Sequence, residues 1–304
     1  MDLLRHAFVQ FKRTSFAILG VAVTIGALGA SALPASAVEH RVSTPPTGYT
    51  VYSFAAVGAE SKPDDISRLG DHVFVAFQNG VGSLGEASPS GVTSSTIQEY
   101  GLDGRPGTSW QVTGKVDGLT ADNAHHRLLI TTNEDGNSHF STLSPDDEHA
   151  VKTYDYAGLT HGGGTDAISL VHGRIVISAS APTNATGPAL YFVDLDGTTA
   201  TLTPLFADNA LATAANGANA GHSVNLALTD PDSNTMVPRT ASRFGGDFML
   251  TAQGDQQLVF ASRAEPSATL HVLSVAQPMD DTVFAGRPEQ TLWITDPTVA
   301  RRVI

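Results

Sequence analysis

An aspartate followed by a short apolar segment recurs along this chain at nearly even intervals. The clearest copy is Val116-Asp117-Gly118-Leu119-Thr120-Ala121-Asp122. Successive copies lie 53, 49, 59 and 55 residues apart and begin at Asp64, Asp117, Asp166, Asn225 and Asp280. A period near fifty residues, with β-type sequence between the repeats, is typical of propeller blades. We therefore predict an all-β fold, a β-propeller of four-stranded antiparallel blades, of which five are recognisable in the sequence.

The third interval shows the predicted blade most clearly. Its β-type segments are separated by turns and one longer loop, and they cover residues 167–170, 175–178, 190–193 and 202–205. In the fourth interval we predict a first strand at residues 224–228. The following residues 229–234 are rich in Asp, Asn and Pro and are predicted to form a turn. The fifth interval carries predicted strands at 280–284, 290–294 and 299–304.

The two ends of the chain carry predictions of their own. Residues 1–37 have the basic start, apolar segment and Ala35-Ser36-Ala37 pattern of a signal peptide, with an uncleaved membrane anchor as the alternative. Residues 38–48 are predicted to be a disordered lead-in, and residues 49–304 the propeller domain. The strand predicted at 49–54 is spare and closes a five-bladed ring by joining the last blade. Alternatively, a sixth blade is missing because the chain is cut short.

The charge of the chain excludes one class of partner. Its 304 residues include 17 Lys and Arg against 30 Asp and Glu, which gives a net charge of −13. No basic patch is present to hold nucleic acid, whereas an acidic surface favours solubility and cationic partners. Because the chain has no cysteine, it relies on its core and not on disulfides. We expect a bacterial, secreted monomer with no membrane contact after signal cleavage.

Two columns of polar residues are predicted to meet on the channel face of the propeller. The first column comes from the starts of the first strands and consists of Asp64, Asp117, Asp166, Asn225 and Asp280. The second follows the second strands and consists of Asn79, Asn133 with Glu134, Ser180, Gln253 and Asp296. Carboxylate and amide oxygens that converge on an axis suit a hard cation such as Ca²⁺. Alternatively, each Asp caps its strand by accepting backbone N–H bonds, and the two roles are compatible.

The segment His161-Gly162-Gly163-Gly164-Thr165-Asp166 is the most unusual local sequence of the chain. Glycines let a backbone approach a ligand closely or form a tight loop. His161 and Asp166 are the catalytic candidates, and His222 takes the corresponding place before Asn225 as a ligand-binding candidate. The alternative is a flexible loop between blades that carries an exposed histidine. Covalent catalysis has little support, because no serine stands in a nucleophile-elbow motif and the chain has no thiol.

One stretch also resembles known propeller families. Residues Val116–Asp122, followed by residues 127–130 and by Thr132 and Asn133, resemble the strand-turn-strand core of NHL-repeat, gluconolactonase-type and streptogramin-lyase-type propellers. The whole chain is similar to a group of uncharacterised secreted actinobacterial propeller proteins. The resemblance implies a superfamily that usually has six blades. Gluconolactonase-like enzymes hold an axial metal with acidic and amide side chains, so the resemblance implies as metal ligands Asp117, Asn133, Asp166 and Asp280.

Two classes of function fit these features. The first is a secreted binding protein that holds a small molecule, a glycan or a protein at a polar site on the channel face. The second is a metal-assisted hydrolase or lactonase, in which Asp166 or Asp117 acts as base and a divalent cation polarises the carbonyl. We favour the first class because no complete catalytic set is readable in the sequence, and because one fold serves many functions.

Overall fold

The computed structural model describes residues 53–56, 58–147, 150–284, 295–296 and 302–303. These residues form strands, turns and loops but no helix, so the prediction of an all-β fold is confirmed. Accordingly, no helix among them is long and apolar enough to cross a membrane. The predicted signal peptide (1–37), the lead-in (38–48) and most of the predicted strand 49–54 lie outside the described residues.

Most of the described strands belong to antiparallel meanders of four consecutive strands. After β1 (Ala55–Ala56), the first meander consists of β2 (Pro63–Leu69), β3 (His72–Phe77), β4 (Ser94–Gly101) and β5 (Pro106–Thr113). The second consists of β6 (Val116–Asp122), β7 (Arg127–Thr132), β8 (His139–Leu143) and β9 (Val151–Ala157). The third consists of β10 (Gly164–Val171), β11 (Arg174–Ser180), β12 (Leu190–Asp196) and β13 (Thr199–Pro204).

The hairpin of β14 (Leu211–Ala214) and β15 (Ser223–Asn225) precedes the fourth meander. That meander consists of β16 (Pro231–Met236), β17 (Phe248–Ala252), β18 (Gln257–Ala261) and β19 (Leu270–Ser274). The short strands β20 (Thr295–Asp296) and β21 (Arg302–Val303) pair with each other near the end of the chain.

The second strand of a meander is its most deeply buried element. In β3 every residue after His72 is buried, and in β11 every residue after Arg174 is buried. A strand that is covered on both faces needs a continuous apolar run, and these segments supply one. The turn between β10 and β11 is equally local in origin, because His172 and Gly173 have φ values of 52° and 80°. That backbone is typical of a two-residue hairpin turn.

The meanders pack face to face around their first strands. β20 lies beside β2, β2 beside β6, β6 beside β10, and β10 beside β16. One apolar core joins the first and second meanders through Phe74 and Leu128, and another joins the second and third through Phe140 and Ile177. A third core fills the space between the third and fourth meanders. Successive meanders with their first strands innermost form a β-propeller.

The structure corrects the prediction for the fourth interval. Residues 224–228 do not form a first strand, since Asn225 is exposed in β15 and pairs with Leu211 of β14. β14 then joins the outer strand β19 in parallel. The first strand is β16, which covers most of the segment predicted to be a turn. Its Asp-Pro-Asp-Ser-Asn sequence has turn composition, but Pro231 is tolerated at the first position of a strand.

The C-terminal interval also differs in part from its prediction. Residues 280–284 are irregular and not a strand, and the predicted strand at 290–294 lies outside the described residues. Val303 of β21 pairs with Thr295 of β20 on one side and with Ala55 of β1 on the other. An N-terminal strand therefore joins a C-terminal sheet, as expected; its described part is Ala55–Ala56, and residues 49–52 of the predicted strand lie outside the described residues.

Candidate ligand-binding cavity

The first strands of the meanders surround one cavity of about 1610 Å³. Its charged lining is mainly acidic, with Lys62 and Lys115 as the basic side chains of the described lining. The acidic side chains come from all four meanders and from the loop after β19: Asp64, Asp65, Asp117, Glu134, Asp135, Asp166, Asp230, Asp232, Asp280 and Asp281. The net charge of the chain is therefore concentrated at this cavity.

Each first strand has a β-bulge where its aspartates lie. The pairing register shifts between Pro63 and Ile66 in β2, and between Val116 and Gly118 in β6. It shifts again in the corresponding parts of β10 and β16, around Asp166 and Asp232. A bulge bends its strand and re-aims the side chain at that position. Three of the recurring positions, Asp64, Asp117 and Asp166, thus lie at bulges beside the cavity.

Side chains of the bulges also join neighbouring first strands. Oδ2 of Asp65 accepts a hydrogen bond of 2.5 Å from the backbone N–H of Leu119 in the next strand. Oγ of Ser169 donates a bond of 2.7 Å to the backbone oxygen of Asn234. These contacts run between meanders and not within one turn. They hold the cavity wall in place before any ligand is present.

Lys115 is the basic centre of the cavity wall. Its ammonium nitrogen lies 2.5 Å from Oδ1 of Asp117 and also contacts Oε1 of Glu134. Burial opposes the charge of Lys115, but the two carboxylates outweigh burial and raise its pKa. Oδ2 of Asp117 accepts a further bond of 3.1 Å from the backbone N–H of Glu134. Asp117 and Glu134, predicted as ligand-binding residues, are therefore on the cavity and already paired with a cation.

Two glutamine amides hold further carboxylates of the cavity, and of the two only Gln253 was predicted to face it. Nε2 of Gln78 donates a hydrogen bond of 2.6 Å to Oδ2 of Asp64 and one of 3.4 Å to Oδ1 of Asp117. Nε2 of Gln253 donates a hydrogen bond of 2.7 Å to Oδ1 of Asp280. Both glutamines directly follow a second strand, and this position, which singled out Gln253, could also have found Gln78. Asp64 and Asp280, both predicted, do line the cavity.

Asn79 and Asn133 do not line the cavity, because their side chains bond the local backbone. Oδ1 of Asn133 accepts a hydrogen bond of 2.9 Å from the backbone N–H of Lys115. Its Nδ2 donates a hydrogen bond of 2.8 Å to the backbone oxygen of Asn137. In the same way, Oδ1 of Asn79 accepts a hydrogen bond of 3.1 Å from the backbone N–H of Ser61. Both residues have positive φ, 64° and 54°. Asn is one of the few residues that adopt this backbone readily.

His161 is fully buried, and it does not line the cavity. Its Nδ1 lies 3.3 Å from the hydroxyl of Tyr191, and its Nε2 lies 3.2 Å from the backbone oxygen of Ser180. Burial lowers its pKa, so the neutral ring is favoured. His222, like Asn225, belongs to the exposed β14–β15 hairpin region. Asp296 lies in β20.

The glycines after His161 allow close packing of backbone. A Cβ atom at Gly164 would collide with the carbonyl oxygens of Asn133 and Glu134, and one at Gly163 with that of Ser180. These glycines therefore bring β10 against the ends of β7 and β11. The sequence suggested that these glycines let the backbone approach a ligand closely. In the structure they let it approach other segments of the same chain.

Asp166 lines the cavity with a carboxylate that has no partner among the described residues. It is 7% exposed. Among the described residues it accepts no side-chain hydrogen bond and forms no ion pair. Burial raises its pKa, and the nearby carboxylate of Asp232 raises it further. The pKa values of Asp232 and Asp65 are raised by burial and by neighbouring carboxylates in the same way.

Within the part of the chain that the structure describes, no group of three His, Asp or Glu side chains is arranged to hold a metal ion. Of the predicted ligands, Asn133 is off the cavity and Asp117 is paired with Lys115. Asp166 and Asp280 remain on the cavity. The Ca²⁺ site stays a prediction.

Comparison with known proteins gives likenesses in structure alone. No protein-family profile matches the chain, and no curated protein sequence matches it. The WD40 β-propeller domain of Doa1 matches with a TM-score of 0.41 at 11% identity, over 71% of this chain and 57% of that chain. The β-propeller domain of Myceliophteria thermophila Cps50 (Swd1) matches with a TM-score of 0.39 at 10% identity, over 68% of this chain and 66% of that chain. This chain thus spans less than two thirds of those structures.

A third solved structure is an enzyme. The Pseudomonas aeruginosa periplasmic gluconolactonase PpgL matches with a TM-score of 0.29 at 11% identity, over 71% of this chain and 86% of that chain.

Proposed function

We propose that this protein is a binding protein that takes a small polar ligand in the cavity between its first strands. The observation that carries the proposal is the repeated bulge, because all four meanders turn carboxylates into the same space of about 1610 Å³. Concave sites with convergent polar groups on rigid strands are typical of small-molecule binding. A glycan or the end of a protein chain also fits such an opening.

We further propose that the ring has five four-stranded blades and is related to the NHL-repeat and gluconolactonase-type propellers. The four meanders supply four blades. The pairing of β1 with β21 supports a fifth blade that the N-terminal strand completes. Secretion as a monomer after cleavage at Ala37 belongs to the same proposal. N-terminal sequencing and sedimentation of the exported protein test these two points.

A thermal-shift screen tests the binding function. The purified protein is heated with compounds of separate chemical classes, namely amines, sugars, amino acids, nucleosides and divalent cations. We expect one class to raise the melting temperature of the wild type but not that of Asp166→Asn. The matched control is Asp194→Asn, since Asp194 is exposed and away from the cavity. Stabilisation that persists in Asp166→Asn, or none in any class, would contradict the proposal.

The second candidate is a hydrolase of the gluconolactonase-like type. It is favoured by Asp166, whose pKa burial and then Asp232 raise above the ordinary range for a carboxyl group. Perturbed carboxyl groups beside a cavity are suited to take up a proton as general base. Lactone hydrolysis by the wild type that is lost in Asp166→Asn and kept in Asp194→Asn would support this candidate. Equal rates in all three proteins would exclude it.

A further inference from the structure

We propose that the ligand is an organic cation with two or more protonated amines joined by methylene segments, held by Asp166 and Asp232. This inference rests on the proposed binding function, and it names the ligand class. It commits to an amine of the polyamine type. An inorganic divalent cation is an alternative outcome of the test.

The first observation is the unpartnered carboxylate of Asp166. It is more than nine-tenths buried, faces the cavity, and has neither hydrogen bond nor ion pair among the described residues. Asp232 lines the same cavity. Burying a carboxylate without a partner is costly, and a charge-assisted hydrogen bond from an ammonium removes that cost.

The second observation is the way the chain holds its own ammonium group. Lys115 contacts Asp117 and Glu134 together, on the wall formed by the second meander. The same cavity presents Asp166 and Asp232 on the third and fourth meanders, with no lysine or arginine ion-paired to either in the described residues. A ligand ammonium between these two carboxylates would reproduce the arrangement around Lys115.

The third observation is the apolar part of the cavity lining. Aliphatic residues also line the cavity: Ile66, Leu119, Ile168, Leu170 and Met236. Apolar surface suits methylene segments, which gain free energy when they leave water. A bare ion uses none of this surface, and the space of about 1610 Å³ is far larger than one ion needs.

Calorimetric titration of the purified protein with spermidine tests the inference. We expect saturable binding of one spermidine per chain at about 0.15 M salt, where exposed charges are largely screened. The uncharged 1,8-octanediol should produce no heat. Asp166→Asn and Asp232→Asn should each weaken binding by about tenfold or more, since each removes a charge-assisted contact. Asp194→Asn should bind as the wild type does, and circular dichroism melts check that each variant folds.

Several outcomes would overturn the inference. These are absence of spermidine binding, equal affinity in both cavity variants, or several weak sites that disappear with added salt. If Ca²⁺ alone binds and Asp166→Asn abolishes it, the cavity takes a metal and not an amine. If another compound class stabilises the wild type through Asp166, the amine inference fails while the binding function stands. If no class does, both fail.

Discussion

The ammonium nitrogen of Lys115 lies 2.5 Å from Oδ1 of Asp117, inside a cavity where acidic side chains predominate. The two residues stand two positions apart in the sequence, on either side of the start of β6. Lys115 is 10% exposed in its side chain and Asp117 is 2% exposed. The pair neutralises one wall of the cavity and leaves the wall around Asp166 acidic.

The first prediction concerns this ion pair. Lys115→Met removes the cation and leaves Asp117 and Glu134 buried beside each other, so the folded state should lose stability. Breaking a buried pair from one side costs about 3–5 kcal/mol. Urea unfolding measures the change, and Lys152→Met, at an exposed lysine, is the control. A loss below about 1 kcal/mol, as for a surface pair, would contradict the described burial.

The second prediction concerns Asp208, whose two carboxylate oxygens are buried without a hydrogen bond in the described structure. Burial, and then Asp255, raises its pKa from 3.8 to about 7. The folded state therefore binds this proton more tightly than the unfolded state does. The stability it contributes is complete below pH 3.8 and is lost as pH rises through about 7.

Asp208→Asn removes this titration. We expect the variant to melt above the wild type at pH 8 and to lose most of that advantage at pH 5. At pH 8 the free energy of unfolding of the variant should exceed that of the wild type by about 1–3 kcal/mol, the usual cost of an unsatisfied buried polar group. Asp194→Asn, at an exposed position, should show no such change with pH. A variant whose advantage is the same at both pH values would show that Asp208 does not titrate in this window.

The third prediction concerns the backbone contact at Gly164. Gly164→Ala places a Cβ atom against the carbonyl oxygens of Asn133 and Glu134, so β10 must move away from β7. We expect a loss of about 1–3 kcal/mol, as for other overpacked sites. Gly101→Ala is the matched control, because the one close contact of its new Cβ would be with the side chain of Asp103, at 2.9 Å, while the backbone oxygen of Arg105 lies at an ordinary 3.9 Å. Equal melting temperatures for the two variants would refute the close approach.

The fourth prediction separates two roles of Asn133. In the structure its Oδ1 accepts the N–H of Lys115, so Asn133→Ala should destabilise the protein by about 1–3 kcal/mol. Because this role needs no metal, the loss should be the same with and without EDTA. A wild-type melt that EDTA lowers to that of Asn133→Ala would instead favour the predicted role as a Ca²⁺ ligand.

Much of the fold could be predicted from local sequence. The second strand Arg174–Ser180 covers the predicted strand at residues 175–178, because a continuous apolar run bounded by turns has few other uses. Asp117 and Asp166 were placed on the channel face because the motif repeats, and both line the cavity. Repetition thus carried the information on which residues face inward.

What the sequence did not reveal depends on contacts between meanders. Asp232 was hidden because the residues around it have the composition of a turn, and the β14–β15 hairpin before it lengthens the interval. Gln78 contacts Asp117, which is 39 positions further along the chain. The deep burial of His161 also depends on packing between distant segments, and a glycine-rich loop gives no sign of it.

A crystal structure of the protein grown with spermidine tests the central claim most directly. We expect first strands that bulge at Asp64–Asp65, Asp117, Asp166 and Asp232, with an ordered amine within hydrogen-bond distance of Asp166 or Asp232. First strands without these bulges, or spermidine bound only outside the cavity, would contradict it.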